Sequence, residues 1–436
     1  MPYFSRLGDV GKKQTIRPCH ANDLPWRPAG NQKNSPEYIS LTTLIFTVNF
    51  RVMHTRTLKI LKSAFFLFGP RGVGKSTWVK ENFQHARVID LLPPAESLKY
   101  AKDPSLLSAS IKTETRDTWI VIDEIQKVPA LLDEVHHLME NEGYERFALT
   151  GSSARKLKRG AANLLGGRAI VKAMYPFTSR ELDFQLDPET VLQYGLLPLS
   201  VNAEDEEQKE AFLRSYLVTY INEEVKAEGF VRNIGHFSRF LDIAALVAGT
   251  RINVSGLARD AGIGRDTVQG YFSIFEDTLL GSYLPAYKPR AKIKEVSKPK
   301  FYWFDPGVLN VAAGAFDQPM PKDWHGVLLE HWIHHELQAY LDYGLIKGSL
   351  GYWRTPSGSE VDFIWWYGDK TIGIEVKSSK KFRKEYLKGL KSLKESMSLH
   401  GAYLVYPGSE ELLIDDIRIM PVMDFLRQLH EGRILG

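Results

Sequence analysis

The stretch AFFLFGPRGVGKST, residues 64–77, constrains this chain more than any other. A short apolar run ends in Gly69, and Gly74-Lys75-Ser76 completes the pattern G-x-x-x-x-G-K-[ST]. An apolar run of this length, closed by glycine, reads as a buried parallel strand, and STWVKENFQ after it reads as a helix. Strand, glycine turn and helix in that order begin a doubly wound α/β sheet. Phosphate oxygens need many N–H donors in a small space. Glycines let the backbone wrap around them, and the helix N-terminus adds partial positive charge. Gly69, Pro70, Arg71, Gly72, Val73, Gly74, Lys75, Ser76 and Thr77 form the candidate cradle. Lys75 is expected to reach the β- and γ-phosphates, and the Ser76 hydroxyl to ligate Mg²⁺.

Three further strands are expected in ARVIDL (86–91), TWIVIDEI (118–125) and RFALTGSS (146–153). A helix between the last two places Leu131, Leu132, Val135, Leu138 and Met139 on one face and stops at Gly143. The strand WIVIDEI delivers Asp123 and Glu124 at its C-terminal end. Asp123 suits Mg²⁺ held through water, and Glu124 suits a base that deprotonates attacking water. Thr150 or Ser152, at the end of the next strand, is placed to sense the γ-phosphate. The run ARKLKRGAANLLGGRA then carries Arg155, Lys156, Lys158, Arg159 and Arg168 without an acid. Arg168 is the first candidate for an arginine finger and Arg155 the second. A finger offered to a neighbour would require a homo-oligomer.

Together, GPRGVGKST, VIDEIQKVP, LTGSSARKLKRGAANLLGGRA and YPFTSREL resemble prokaryotic AAA-type P-loop ATPases with a C-terminal restriction-endonuclease-like domain. The resemblance covers about residues 53–400 and is most specific over 149–181. It implies an ATPase core followed by a helical lid, a winged-helix segment and the endonuclease-like domain. It also implies ATP rather than GTP, since no guanine-reading N-K-x-D motif is present.

Residues 207–247 read as helical. INVSGLARDAGIGRDTVQGYF then fits a helix-turn-helix. Val254, Leu257 and Ala258 form a short apolar face, Ala261-Gly262-Ile263 a turn, and 264–275 a second helix. Arg265, Asp266 and Gln269 are expected on its exposed face. In the following ribbon Lys288, Arg290, Lys292 and Lys294 alternate, so a strand would put them on one face, suited to a phosphate backbone such as DNA.

SEVDFIWWYGDKTIGIEVKSS (359–379) is the second chemically informative stretch. Asp362 lies near the start of one strand, and strand alternation points Glu375 and Lys377 the same way on the next. Two carboxylates can share Mg²⁺ while a lysine stabilises developing charge. This D-x(12)-E-x-K spacing is similar to the PD-(D/E)XK nucleases, although Val361 stands where their proline would. Glu330, on a preceding helix, is the candidate extra acid. His331, His334 and His335 share that helix and read as partly buried polar residues, a weak pattern for zinc.

Length sets the domain count. The 436 residues are too many for one ordinary core. The expected division is an N-terminal extension over 1–57, the P-loop domain over 58–195, a lid and winged helix over 196–310, and the endonuclease-like domain over 311–436. A net charge of +4 gives no overall case for nucleic acid, and a lone cysteine, Cys19, excludes an internal disulfide and a thiolate metal cage. Apolar stretches such as TLIFTVNF fall far short of the about 20 residues of a membrane span. No signal-peptide pattern follows Met1, so a cytoplasmic setting without a membrane partner is expected. Two functions follow as expectations. One is ATP turnover that drives DNA binding or processing. The other is an ATP-dependent switch whose C-terminal part binds a protein partner or acts as a scaffold.

Overall fold

β1 (Phe65–Phe68), β2 (Arg87–Asp90), β3 (Ile120–Asp123), β4 (Phe147–Gly151) and β5 (Ile170–Ala173) lie parallel in the order β2-β3-β4-β1-β5. The structure is a computed structural model that describes residues 54–153, 164–221, 234–288 and 298–435. The expected basic residues Arg155, Lys156, Lys158, Arg159, Arg290, Lys292 and Lys294 lie outside the described residues. Four of the strands stand where the apolar runs place them. β5 had no such signal, because its first two residues, Ile170 and Val171, are exposed on the sheet edge. β1 is buried along its whole length, as a strand covered on both faces must be. Phe66, Phe68, Ile122 and Leu149 fill one face, and Phe65, Leu67, Val121 and Ala148 the other. The order matters for chemistry, because β4 lies between β1 and β3. Its C-terminal residues therefore stand between the glycine loop after β1 and Asp123.

The middle of the chain is helical. Helices Pro188–Tyr194 and Glu206–Ser215 lead into a π-turn at Tyr216–Ile221. Helix Ile234–Leu246 follows. Helices Val254–Ala261 and Arg265–Asp277 are joined through Gly262, whose φ of 65° suits a residue without Cβ. Val268, Tyr271, Phe272 and Phe275 face the core, while Arg265, Asp266 and Gln269 are exposed, as expected from the spacing. An antiparallel pair, β6 (Gly281–Leu284) and β7 (Lys300–Trp303), completes this segment.

Helix Trp324–Gly344 is buried on most of its surface and forms the axis of the C-terminal half. Against it lies a mixed sheet of β8 (Ser349–Arg354), β9 (Glu360–Tyr367), β10 (Lys370–Val376), β11 (Gly401–Tyr406), β12 (Leu412–Ile414) and β13 (Ile417–Pro421). The strand order is β12-β13-β11-β10-β9-β8. β8, β9 and β10 form an antiparallel meander. Helix Lys388–Ser396, with Leu390 and Leu393 buried, carries the chain to β11 parallel to β10. Helix Val422–His430 closes the domain. His331, His334 and His335 are more deeply buried than expected, at 0%, 5% and 4% exposure, because this helix has almost no solvent face.

One hydrophobic core runs from Phe65 and Leu67 of the parallel sheet to Ile374 and Val405 of the mixed sheet. Arg56, within the segment assigned to the N-terminal extension, is buried against Glu181 at 3.3 Å and donates to the Tyr343 hydroxyl at 2.9 Å. The joint between the sheets is built by YPFTSREL, the segment after β5. Tyr175 donates its hydroxyl to the Asp342 carboxylate. Ser179 N–H donates to Glu336 at 2.8 Å, and His335 bonds the Phe177 carbonyl at 2.9 Å. Glu336 also pairs with His430 at 2.8 Å. Burial alone would raise the Glu336 pKa. Its bonds to His430 and Ser179 outweigh that cost and hold it below the usual range.

Candidate functional site

Two clusters of chemically competent side chains emerge. The first surrounds the glycine loop after β1. Gly72 and Gly74 adopt φ of 80° and 96°, backbone that side-chain-bearing residues rarely enter. Gly69 is required for a different reason. A Cβ there would lie 2.4 Å from the Met174 carbonyl oxygen, so the loop can approach the chain leaving β5 only with glycine. Lys75 begins helix Lys75–Asn82 and donates its ammonium to the Gly69 and Pro70 carbonyls at 2.6 and 3.0 Å. The ammonium is thereby held across the mouth of the loop.

Ser76 donates its hydroxyl to Asp123 at 2.8 Å, and Thr150 donates to the other Asp123 oxygen. A hydroxyl and a carboxylate in contact beside a glycine loop are hard oxygen donors, which fit Mg²⁺. Glu124 sits at the end of β3 with φ 61°, an uncommon conformation for a non-glycine residue and one that recurs at functional sites. Gln126 donates to Glu124 and, at 3.1 Å, to Ser152. It also requires Gly151, where a Cβ would stand 2.3 Å from its amide oxygen. Gln126 thus couples the candidate base to the end of β4. The sequence reading did not single it out, although it lies two residues after Glu124. Tyr216, at the start of the π-turn, donates to the Arg71 carbonyl at 2.9 Å and brings the helical segment onto the loop. Arg168 is half exposed and paired with Glu140 of helix Leu131–Asn141. A role on phosphate therefore requires that pair to open.

The second cluster lies at the C-terminal sheet. Asp362 on β9, Glu375 at the end of β10 and Glu330 on helix Trp324–Gly344 converge, as do Lys377 and two residues that were not anticipated, Glu360 and Lys300. Lys300 Nζ lies 2.7 Å from Glu360, 3.1 Å from Glu330 and 3.7 Å from Asp362. Tyr302 also donates to Glu330, and Arg354 pairs with Glu360. Lys377 pairs with Glu375, so the E-x-K side chains do meet. Asp362 accepts the Val376 N–H at 2.9 Å. Burial first, then the Glu330 charge, pushes Asp362 up to about 6 against the opposing pull of Lys300 and Lys377. Burial pulls the Lys300 ammonium down, but the surrounding charges, Glu330 foremost, hold it well above its ordinary value. Glu360 was legible in principle, since it lies two residues before Asp362 and shares its strand face. Lys300 was not, because nothing local relates β7 to β9.

The expected Mg²⁺ ligands Asp362, Glu375 and Glu330 are therefore together, but each faces a lysine. That arrangement does not fit a divalent ion. Among the described residues no group of three or more His, Cys, Asp or Glu side chains could hold a metal. Lys300, Glu330, Glu360 and Asp362 line a cleft of about 710 Å³, with Arg251, Lys298 and Arg354 also on its walls. No helix among the described residues is long and apolar enough to cross a membrane.

Comparison with known families divides the chain into three. Residues 186–319 match a domain of unknown function, DUF8612, and residues 325–425 match another, DUF4143. No curated protein matched the chain. Among solved structures, protein VC1899 from Vibrio cholerae aligns over 84% of this chain and 96% of its own at 14% identity. Its TM-score of 0.20 is too low to define a common fold. Residues 61–183 match the AAA domain family, so the glycine loop, Asp123, Glu124 and Ser152 all fall within a segment that supports an AAA-type ATPase.

Proposed function

We propose that this chain binds and hydrolyses ATP with Mg²⁺ and uses turnover to reposition its C-terminal half. The observation that carries the reading is the Ser76–Asp123 contact at 2.8 Å, with Glu124 adjacent in sequence and held by Gln126. Bound Mg²⁺ would neutralise phosphate charge during transfer. Ser76 and Asp123 are the residues that would hold it. Lys75 orients the phosphates from the loop, and Glu124 accepts the proton of the attacking water. Thr150 and Ser152 link these groups to the end of β4, and Gln126 restrains the base until water is in place. Met174, against Gly69, and Tyr175, bonded to Asp342, give loop movement a short route to helix Trp324–Gly344.

DNA is the second reading for what the C-terminal half engages. It is favoured by the cleft with Arg251, Lys298 and Arg354 on its walls and by the helix pair that precedes β6 and β7. The helix pair and the β6–β7 ribbon would form a winged helix, beside the mixed sheet whose β9 and β10 carry Asp362 and Glu375. Cleavage at Asp362, Glu375 and Lys377 would further require Lys300 to withdraw. A partner protein on the same cleft is the competing arrangement, and an arginine finger in trans would add a homo-oligomer. ATP turnover measured with increasing duplex or single-stranded DNA separates the two. Stimulation that falls steeply with salt supports DNA, while a flat response at low salt supports the protein-directed switch. Absence of any Mg²⁺-dependent ATP turnover, with and without DNA, overturns the proposal.

A further inference from the structure

Lys300 belongs to β7, in the segment that matches one family, while Glu330, Glu360 and Asp362 belong to the C-terminal segment that matches another. We propose that the C-terminal carboxylate cluster takes the Lys300 ammonium as its resident cation, which excludes a divalent metal for as long as β7 stays docked. This goes beyond the ATPase reading and does not depend on it.

Three observations carry it. The first is coordination. Lys300 is 4% exposed and reaches three carboxylates from two different elements, a setting in which a buried ammonium is compensated. The second is charge. Glu330, Glu360, Asp362 and Glu375 are four carboxyl groups, set against three cationic side chains, Lys300, Lys377 and Arg354. Without Lys300 the four carboxyl groups would keep only two cationic partners, Lys377 and Arg354. The third is an unused acceptor. Glu375 is 6% exposed, and its Oε2 is buried without a hydrogen-bond partner among the described residues. Its carboxylate interacts electrostatically with Asp362 and Glu330 of the same cluster. Access is not the barrier, since Lys300, Glu330, Glu360 and Asp362 all line the open cleft. Lys300 draws these carboxylates around an ammonium, and with it in place no three acidic or imidazole side chains among the described residues are set to hold a metal.

The test is Mn²⁺ binding to the full chain without nucleotide, followed by the electron paramagnetic resonance of free Mn²⁺. Four proteins are compared: wild type, Lys300→Met, Asp362→Asn and the double variant. Any Mn²⁺ held near Ser76 and Asp123 is common to all four and cancels. The expected result is that Asp362→Asn leaves wild-type binding unchanged. Lys300→Met should gain one Mn²⁺ per chain, at least tenfold tighter than any wild-type site at the cluster, and the double variant should lose it. A wild-type Mn²⁺ site that disappears in Asp362→Asn overturns the proposal, as does a folded Lys300→Met that gains none. Should circular dichroism show Lys300→Met unfolded, the wild-type and Asp362→Asn pair still decides: equal binding supports exclusion, and a lost site contradicts it.

Discussion

Tyr175, the residue after the Met174 carbonyl that abuts Gly69 of the glycine loop, donates its hydroxyl to the carboxylate of Asp342. The loop and the long C-terminal helix are thus two contacts apart. Asp342 is largely buried, and burial raises its pKa above the usual carboxylate range. Tyr175→Phe removes a donor from this acid and should cost about 1–3 kcal/mol of stability. The denaturation midpoint of the variant reports it. An unchanged midpoint would mean that the joint is not a stability element.

Gly69→Ala should damage nucleotide binding without altering any charge. Its Cβ would sit 2.4 Å from the Met174 oxygen, so either the loop or the chain leaving β5 must move. We expect ATP affinity to fall at least tenfold by calorimetry. Gly264→Ala is the control. It sits at the start of a surface helix with ordinary clearance, its nearest neighbour being Thr267 at 3.6 Å, and should leave ATP affinity unchanged.

Lys75→Ala and Glu124→Gln should fail differently. The first removes the ammonium that spans the Gly69 and Pro70 carbonyls and should abolish tight ATP binding. The second keeps the shape of the side chain but removes the base, so ATP should bind while turnover drops about 10²- to 10⁴-fold. Equilibrium binding together with a phosphate-release assay distinguishes the two. Wild-type turnover in Glu124→Gln would remove Glu124 from its role.

The buried histidines set an acid limit on stability. Burial lowers His331 to about 4 and His334 to about 3. Both face Tyr302, with Lys300 also acting on His331, and both stay neutral in the fold. Between the ordinary imidazole value near 6.5 and about 4, the unfolded chain binds protons that the folded chain does not. Stability should therefore fall as pH drops through that window, by on the order of a few kcal/mol. His334→Gln should flatten the slope of melting temperature against pH between 7 and 4.5. An unchanged slope would show that His334 does not contribute.

Much of the candidate site around the glycine loop was legible because its signals are local. The phosphate loop, Asp123 and Glu124 each follow an apolar strand, and a glycine turn or an acidic pair after such a strand has few other uses. Residues supplied across the fold were not legible. Gln126 acts through β4, Tyr216 reaches Arg71 from the π-turn, and Lys300 meets Asp362 from another strand system. β5 escaped notice for a physical reason, since an edge strand with exposed Ile170 and Val171 lacks both the buried run and the alternation that mark strands. YPFTSREL was distinctive in sequence, but its role at the joint depends on Asp342, Tyr343 and Glu336, which come much later in the chain.

In the proposed mechanism, nucleotide state is felt by the C-terminal half through this joint. Hydrogen exchange of Glu124→Gln, with and without ATP and Mg²⁺, measures it directly. The expected result is altered protection in the glycine loop, in residues 172–184 and in residues 336–343 of the long helix, with the last change lost when Tyr175→Phe is added. ATP bound at saturation with protection altered in the loop alone, and no change at residues 336–343, would contradict it.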